Sequence, residues 1–302
     1  MVVSKKSQPL VTVIIPCRNA ASTIETAIKS VLGQTYRNLE IIVIDDHSSD
    51  HTFSIAQSLA TSDSRLKVLR VEKEDPRRFN RRGININAGY LARNLGLQNA
   101  SGEWITFQDA DDFSVLNRIE IQKKLADYLD SRHISTSVFP LEDHWENCHF
   151  AWDGNIENLA AQCTVINPEE IANLASACLG VLQKVGAHNL FSWLPFRLRH
   201  NRFVAGLFFG PTTSYPGGAN AVFFHHSLTT EIRFRPLPKR IWPSARGRGA
   251  DRDFCFNIAR AFRTSSFVDV PLYAWRTPQP FSTGWDLNNA LSKNGKTGIA
   301  RV

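Results

Sequence analysis

Apolar and polar positions follow one repeating pattern over the first hundred residues. "LVTVIIP", Leu10–Pro16, is an unbroken β-branched run closed by a proline, as in a strand buried on both faces. Ile24, Ala27, Ile28 and Val31 then fall at helical spacing. They predict a helix that opens near Ser22, with Ser22 and Glu25 at capping-box spacing, and ends within "SVLGQTYRNL". The alternation continues: "EIIVIDD" reads as a strand, "HSSDHTFSIAQSLA" as capping residues and a helix, and "RLKVLRV" as a strand. Asn87 to Ala100 reads as a helix and "EWITFQ" as a fourth strand. This β-α-β-α-β-α-β order predicts an α/β fold, doubly wound on a mainly parallel sheet with helices on both faces.

Beyond residue 125 the pattern loosens. "STSVFPL" and "CTVIN" read as strands, and residues 168–185 as a helix. "YPGGANAVFFHHSL" joins a Gly-Gly turn to a strand, "RGRGADRDFCFNIARAF" is a loop entering a helix, and "SFVDVPLYAWR" is a late strand. Neither repeats nor low-complexity tracts divide the chain, so the reading is one domain with a variable second half.

Composition narrows the setting. The 302 residues are 43% hydrophobic, enough for a sizeable core. No apolar run reaches the roughly 18 residues of a membrane span, and "MVVSKKSQPL" has no signal-peptide core, so a cytoplasmic protein is expected. Five scattered cysteines without a C-x-x-C pair predict reduced thiols. A net charge of +7 favours anionic partners. Nucleic acid is not expected among them, because no recognition motif accompanies the charge.

Candidate chemistry lies where the strands end, the edge at which open α/β sheets bind ligands. Arg18 and Asn19 follow the first strand, Asp45 and Asp46 end the second, and "DADD", Asp109 to Asp112, ends the fourth. Three carboxylates within four positions repel one another unless something positive neutralises them. Their hard oxygens suit Mg²⁺ or Mn²⁺.

These segments, "VTVIIPCRNAASTIETAIKSVLGQTYRNLEIIVIDDHSSDHT" and "GYLARNLGLQNASGEWITFQDADD", resemble the family 2 glycosyltransferases, inverting enzymes of the GT-A fold. Similarity returns in "GGANAVFF", "GADRDFCF" and "VPLYAWR". The resemblance implies a nucleotide-sugar-binding half over 1–125, an acceptor-binding half over 126–285 and a polar tail over 286–302. It implies a metal held by Asp109 and Asp111, and contacts to the nucleotide sugar from Pro16, Asn19, Asp46, Arg93, Asp109 and Gly218. Asp251 is implied as the base that deprotonates the acceptor. The implied partners are a nucleoside diphosphate sugar, expected to be UDP-linked, and a glycan or lipid-linked acceptor in surface polysaccharide or glycoconjugate synthesis.

Each assignment has a plainer reading beside it. Asp112 can cap the helix in "SVLNRIEIQKKL", Asp45 and Asp46 can end a strand in an Asx turn, and Arg93 can be a solvated helix arginine. Asp253 competes with Asp251 as base, or either caps the helix that follows. Arg77, Arg78, Arg81 and Arg82 fit a loop closing over a diphosphate and equally a solvated run.

Three departures from the family pattern matter. Arg18 stands where an aromatic often faces the base, Ala250 stands where a glutamate usually precedes the aspartate, and "TPQPFSTG" lacks the late histidine. They leave an inactive sugar-nucleotide-binding module as the alternative function. His225 or His226 is a substitute for the histidine, though neighbours on a strand face opposite ways. His144, Cys148 and His149 fit no common zinc spacing. "LFSWLPFRLRHNRFVAGLFF", residues 190–209, interleaves aromatics with arginines, a composition suited to peripheral contact with the inner face of a membrane.

Overall fold

The computed structural model describes residues 8–76, 78, 79, 83, 85, 87–140, 148–180, 216, 217, 220–236, 240 and 249–276, with the backbone of 299–301. The alternating first half is present: β1 (Val11–Cys17), α1 (Ile24–Leu32), β2 (Leu39–Asp45), α2 (Thr52–Ser62), β3 (Leu66–Arg70), α3 (Tyr90–Asn99) and β4 (Trp104–Phe107). There follow β5 (Phe113–Ser114), α4 (Arg118–Tyr128), β6 (His133–Pro140), β7 (Cys148–Phe150), α5 (Ile156–Gln162), β8 (Val165–Ile166) and α6 (Pro168–Ala177). The last elements are β9 (Val222–His225), α7 (Ala250–Phe262), β10 (Ser265–Trp275) and β11 (Ile299–Arg301).

Among the described residues nine strands form one sheet in the order β3-β2-β1-β4-β9-β6-β10-β5, with β8 beside β10. The β1–β2, β2–β3, β1–β4 and β6–β10 pairs are parallel; β9 runs antiparallel between β4 and β6. Strands from the second half thus extend the sheet of the first. β7 and β11 form a separate antiparallel pair.

Two-faced burial explains the apolar runs. Val11, Val13 and Ile15 pack with Ile24, Ile28 and Val31 of α1 on one face, while Ile14, Ile42 and Ile44 pack with Ala92, Leu97, Phe254 and Ile258 on the other. α3 lies so close to β1 that a Cβ at Gly96 would stand 2.4 Å from Ile14 Cγ2, which leaves glycine as the residue that fits there.

The expected Ser22 cap does not form; the α1 N-cap is Thr23, without a side-chain capping bond. The preceding N–H groups are satisfied from the adjacent loop instead: Ala20 N–H donates to Thr52 Oγ1 and Ala21 N–H to Asp50 Oδ2. Among the described residues no helix is long and apolar enough to cross a membrane.

Candidate active site

The carboxyl ends of β1, β2 and β4 meet at one edge. Asp46 N–H donates to the Cys17 carbonyl and Gln108 N–H to the Ile14 carbonyl, so the polar residues after these strands are neighbours in space. Because β10 runs parallel to β6, its end, Tyr273–Arg276, arrives at the same edge and touches the aspartate loop.

The three clustered aspartates have different surroundings. Asp109 Oδ1 accepts from Arg93 Nη2 at 2.7 Å and its Oδ2 from Asn220 Nδ2 at 2.6 Å. Asp112 is buried, its Oδ2 accepting from the Tyr273 hydroxyl and its Oδ1 from Arg276 N–H, each at 2.9 Å. The same Tyr273 oxygen accepts from Asp109 N–H at 2.9 Å. Asp111 alone is exposed, and its carboxylate has no partner among the described residues.

Ligand atoms of the three aspartates lie within 4.8 Å of one another. Burial pushes the Asp109 carboxyl up to about 6, with Arg93 opposing and Asp251 and Asp111 adding to the rise. Burial, then the Asp109 and Asp111 charges, push Asp112 up to about 8. The cluster is therefore short of positive charge. Hard, closely spaced carboxylates with one fully open member fit a divalent ion that keeps waters and takes further ligands from a substrate. Asp111 offers open carboxylate oxygens, and those of Asp109 are already engaged by Arg93 and Asn220. Asp112 does not cap the following helix, which begins at Arg118 with Asn117 as N-cap; it ties the end of β10 to the loop.

Asp251 and Asp253 separate clearly. α7 starts after Gly249, in the left-handed region at φ 96°, so neither aspartate is its N-cap. Asp253 is fully buried and held by both Nε and Nη2 of Arg235. Asp251 is partly exposed and reaches the loop through Arg93, whose Nε lies 3.3 Å from Asp251 Oδ1. That Nε is within ion-pair range of the oxygen without aiming a hydrogen bond at it. Arg93 is buried, also donates to the Ala88 carbonyl, and stacks over Phe234; it is not a solvated helix arginine.

On the other side of the edge, Asp46 is buried, and its Oδ1 accepts from Arg78 Nη2 at 2.5 Å. Arg78 is itself 1% exposed, so this member of the basic run neither faces solvent nor stands free for a phosphate. Arg18 donates to the Asp46 carbonyl and pairs with Glu74, which also meets Arg78. Asp45 follows its plainer reading: it pairs with Arg70 and accepts from Ser48 N–H. Asn19, in the left-handed region at φ 49°, accepts from Ser49 N–H and fastens the loop after β1 to the loop after β2. Pro16 does not close β1, which runs on to Cys17; it lies beside Ile44, one residue short of this edge.

His225 and His226 lie at the opposite edge, beside Trp104 and Gly102, because β9 runs antiparallel to β4. They do not replace a late histidine. Gly218, Arg77, Arg81, Arg82, His144, residues 190–209 and most of the tail lie outside the described residues. Sequence reasoning passed over Tyr273 and Arg276; the available signal was a hydroxyl and a cation at the end of an otherwise apolar strand.

The model of the family described as "Glycosyl transferase family 2" matches residues 12–163, half of the chain, and includes β1, β2, β4 and the aspartate loop. The chain belongs to glycosyl transferase family 2. A UDP-Glc:alpha-D-GlcNAc-diphosphoundecaprenol beta-1,3-glucosyltransferase of Escherichia coli, WfgD, is 45% identical over 114 residues, 37% of this chain and 39% of WfgD. A GalNAc(5)-diNAcBac-PP-undecaprenol beta-1,3-glucosyltransferase of Campylobacter jejuni is 41% identical over 104 residues, 34% of this chain and 30% of that protein. These matches span less than half of the relatives' lengths. The crystal structure of S. aureus TarS 1-349 superposes with a TM-score of 0.53 at 17% identity, over 89% of this chain and 60% of that one. The fold of this family 2 chain is thus the GT-A fold expected from its sequence.

Proposed function

We propose that this chain is a metal-dependent inverting glycosyltransferase. It moves a sugar from a UDP-linked donor to a hydroxyl of a glycan or lipid-linked acceptor in surface polysaccharide or glycoconjugate synthesis. The observation that carries the reading is the pairing of an open Asp111 with an accessible Asp251, joined through Arg93 and Asp109 at the carboxyl edge of the sheet. Similarity of the first half to a UDP-Glc-dependent relative supports the donor, and the undecaprenol-linked acceptors in the names of both relatives support the acceptor class.

Asp111 and Asp109 hold Mg²⁺ or Mn²⁺, which supplies positive charge to the donor diphosphate. Asp46 reads the base with Oδ2, which has no partner among the described residues, accepting from the imide N–H of uracil while Arg78 holds Oδ1 in place. Pro16 contacts the nucleotide sugar, Asn19 shapes the site through the Ser49 staple, and Gly218 is a further contact implied by the family resemblance. Arg93 holds Asp109 in place. Asp251 takes the proton as the acceptor oxygen bonds to the anomeric carbon; the bond from that carbon to the diphosphate oxygen breaks, and the electron pair leaves with the nucleotide. Attack from the face opposite the leaving group inverts the centre. The pairing of buried Asp253 with Arg235 leaves it unsuited to proton transfer, which supports Asp251 as the base.

Titration calorimetry with UDP, GDP and CDP, with and without Mn²⁺, tests the donor site. Metal-dependent UDP binding that disappears in Asp111→Ala, followed by transfer from a UDP-sugar, is expected. Absence of nucleotide binding under every metal condition would overturn the reading.

A further inference from the structure

Arg240 is fully buried, yet its guanidinium joins two parts of the chain that flank the site. Its Nη2 donates to the carbonyl of Asn87, 153 positions away, and its Nε to the carbonyl of Arg235, each at 2.8 Å. Each end of this bridge leads to a residue already placed at the site. Asn87 lies three residues before α3, and its Nδ2 donates to Asp75 Oδ2 at 2.8 Å. The Asp75 carbonyl in turn accepts from Arg78 N–H, and Arg78 holds Asp46. At the other end, Arg235 grips Asp253 through both Nε and Nη2. Asp253 shares the first turn of α7 with Asp251.

Burying a guanidinium is costly, and an apolar side chain of similar length fills such a space without that cost. The fork supplies what an apolar chain cannot: two directed donors on one rigid plane, each ending on a different backbone segment. Burial draws the Arg240 pKa down against Asp253 and then Asp251, whose charges therefore reach it. The donor-side loop has supports of its own. Asp75 holds Asn87, and Asn94 of α3 exchanges two bonds of 2.9 Å with the backbone of Phe234. Arg240 adds the link that runs from this loop, through Arg235 and Asp253, to the start of α7.

We infer that Arg240 is a positioning residue for proton transfer, whose bridge sets α7, and with it Asp251, at a fixed place relative to the donor-side loops. It works through Arg235 and Asp253 and does not touch the reacting atoms. The inference rests on the proposed role of Asp251 as the base. A strut with a structural task alone would change the stability of the fold and leave the chemistry of each folded molecule as it was.

A double-mutant cycle on the full chain separates the two. Wild type, Arg240→Met, Asp251→Asn and the double variant are compared in Mn²⁺ by UDP titration and by single-turnover hydrolysis of UDP-Glc, UDP-GlcNAc, UDP-Gal and UDP-GalNAc. Water takes the place of the acceptor in that assay. Arg240→Met should lower the hydrolysis rate by ~10-fold or more while the UDP dissociation constant stays within ~2-fold. In the Asp251→Asn background the same substitution should cost less than ~2-fold, because a base that is gone cannot be misplaced. Arg240→Lys keeps the charge but reaches one carbonyl at a time, and should recover part of the rate. It also runs the same cycle if Arg240→Met does not fold, which a thermal melt decides. A full ~10-fold loss in the Asp251→Asn background overturns the inference, since Arg240 would then act elsewhere. So does an unchanged rate in a folded Arg240→Met, or a loss confined to UDP affinity. Undiminished hydrolysis in Asp251→Asn alone overturns the base assignment, and wild-type protein that binds no UDP overturns the donor-site reading, results distinct from these.

Discussion

The Tyr273 hydroxyl stands between two residues of the aspartate loop, donating to Asp112 Oδ2 and accepting from Asp109 N–H, both at 2.9 Å. All of Tyr273 is buried, so both partners depend on that one oxygen. Tyr273→Phe leaves a buried N–H and a buried carboxylate oxygen unsatisfied and should cost roughly 2–3 kcal/mol in urea unfolding. Metal-dependent nucleotide binding should persist at lower temperature, because Asp111 is untouched. Unchanged stability would show that the hydroxyl carries no structural role.

Arg93 places one cation between Asp109, at 2.7 Å, and Asp251, at 3.3 Å. Arg93→Ala leaves the partly buried Asp109 and Asp251 carboxylates without the cation they share and should destabilise by about 3 kcal/mol. Arg93→Lys keeps the charge but cannot span both partners. Its expected signature is a kcat lower by ~10-fold or more with the UDP dissociation constant little changed. A loss confined to UDP affinity would move Arg93 out of the link between metal ligand and base.

Asp251→Asn should reduce transfer by ~10²–10⁴-fold while UDP affinity stays near wild type, the pattern of a lost general base. Asp253→Asn should act on stability instead, because it removes the charge that the fully buried Asp253 presents to Arg235. Single-turnover rates and unfolding curves for the two variants separate these effects. Loss of transfer in a well-folded Asp253→Asn, with Asp251→Asn active, would reverse the assignment.

The first half was legible because its signals are local. A β-branched run and the carboxylates at its end lie within a few residues of each other, and burial on both faces leaves little choice of element. The chain order of "IVIDD" and "FQDADD" is therefore enough to place Asp46 and Asp109 at one edge. What the sequence did not disclose is which carboxylate oxygens remain open. Asp112 is taken by Tyr273, 161 positions away, and Asp109 by Asn220, 111 positions away. Such pairings depend on β9 entering antiparallel beside β4 and on β10 running back to the edge that carries the aspartate loop, and residue spacing does not encode either route. Arg78 illustrates the same limit: four nearby arginines read as a loop, yet this one is buried against Asp46.

Glu40 provides a pH test of the frame that delivers the aspartate loop. Its carboxylate accepts from Thr12 Oγ1 and Ser101 N–H and pairs with Lys67, while Thr12 Oγ1 also accepts from Gly102 N–H, bracing the entry to β4. Burial pushes the Glu40 carboxyl up, but the Lys67, Ser101 and Thr12 contacts outweigh it and hold it down to about 2, against an ordinary 4.5. A carboxyl depressed on folding stabilises above its unfolded value and loses that contribution as pH falls from about 4.5 towards 2. Lys67 is largely exposed, so screening reduces its share, and the whole contribution is about 2 kcal/mol. Urea unfolding of wild type and Glu40→Gln should therefore differ by about 2 kcal/mol at neutral pH and converge as pH drops towards 2. A gap that stays constant over that range would show that the ionised carboxylate is not what braces β4, and that neutral hydrogen bonding at this turn suffices to present Asp109.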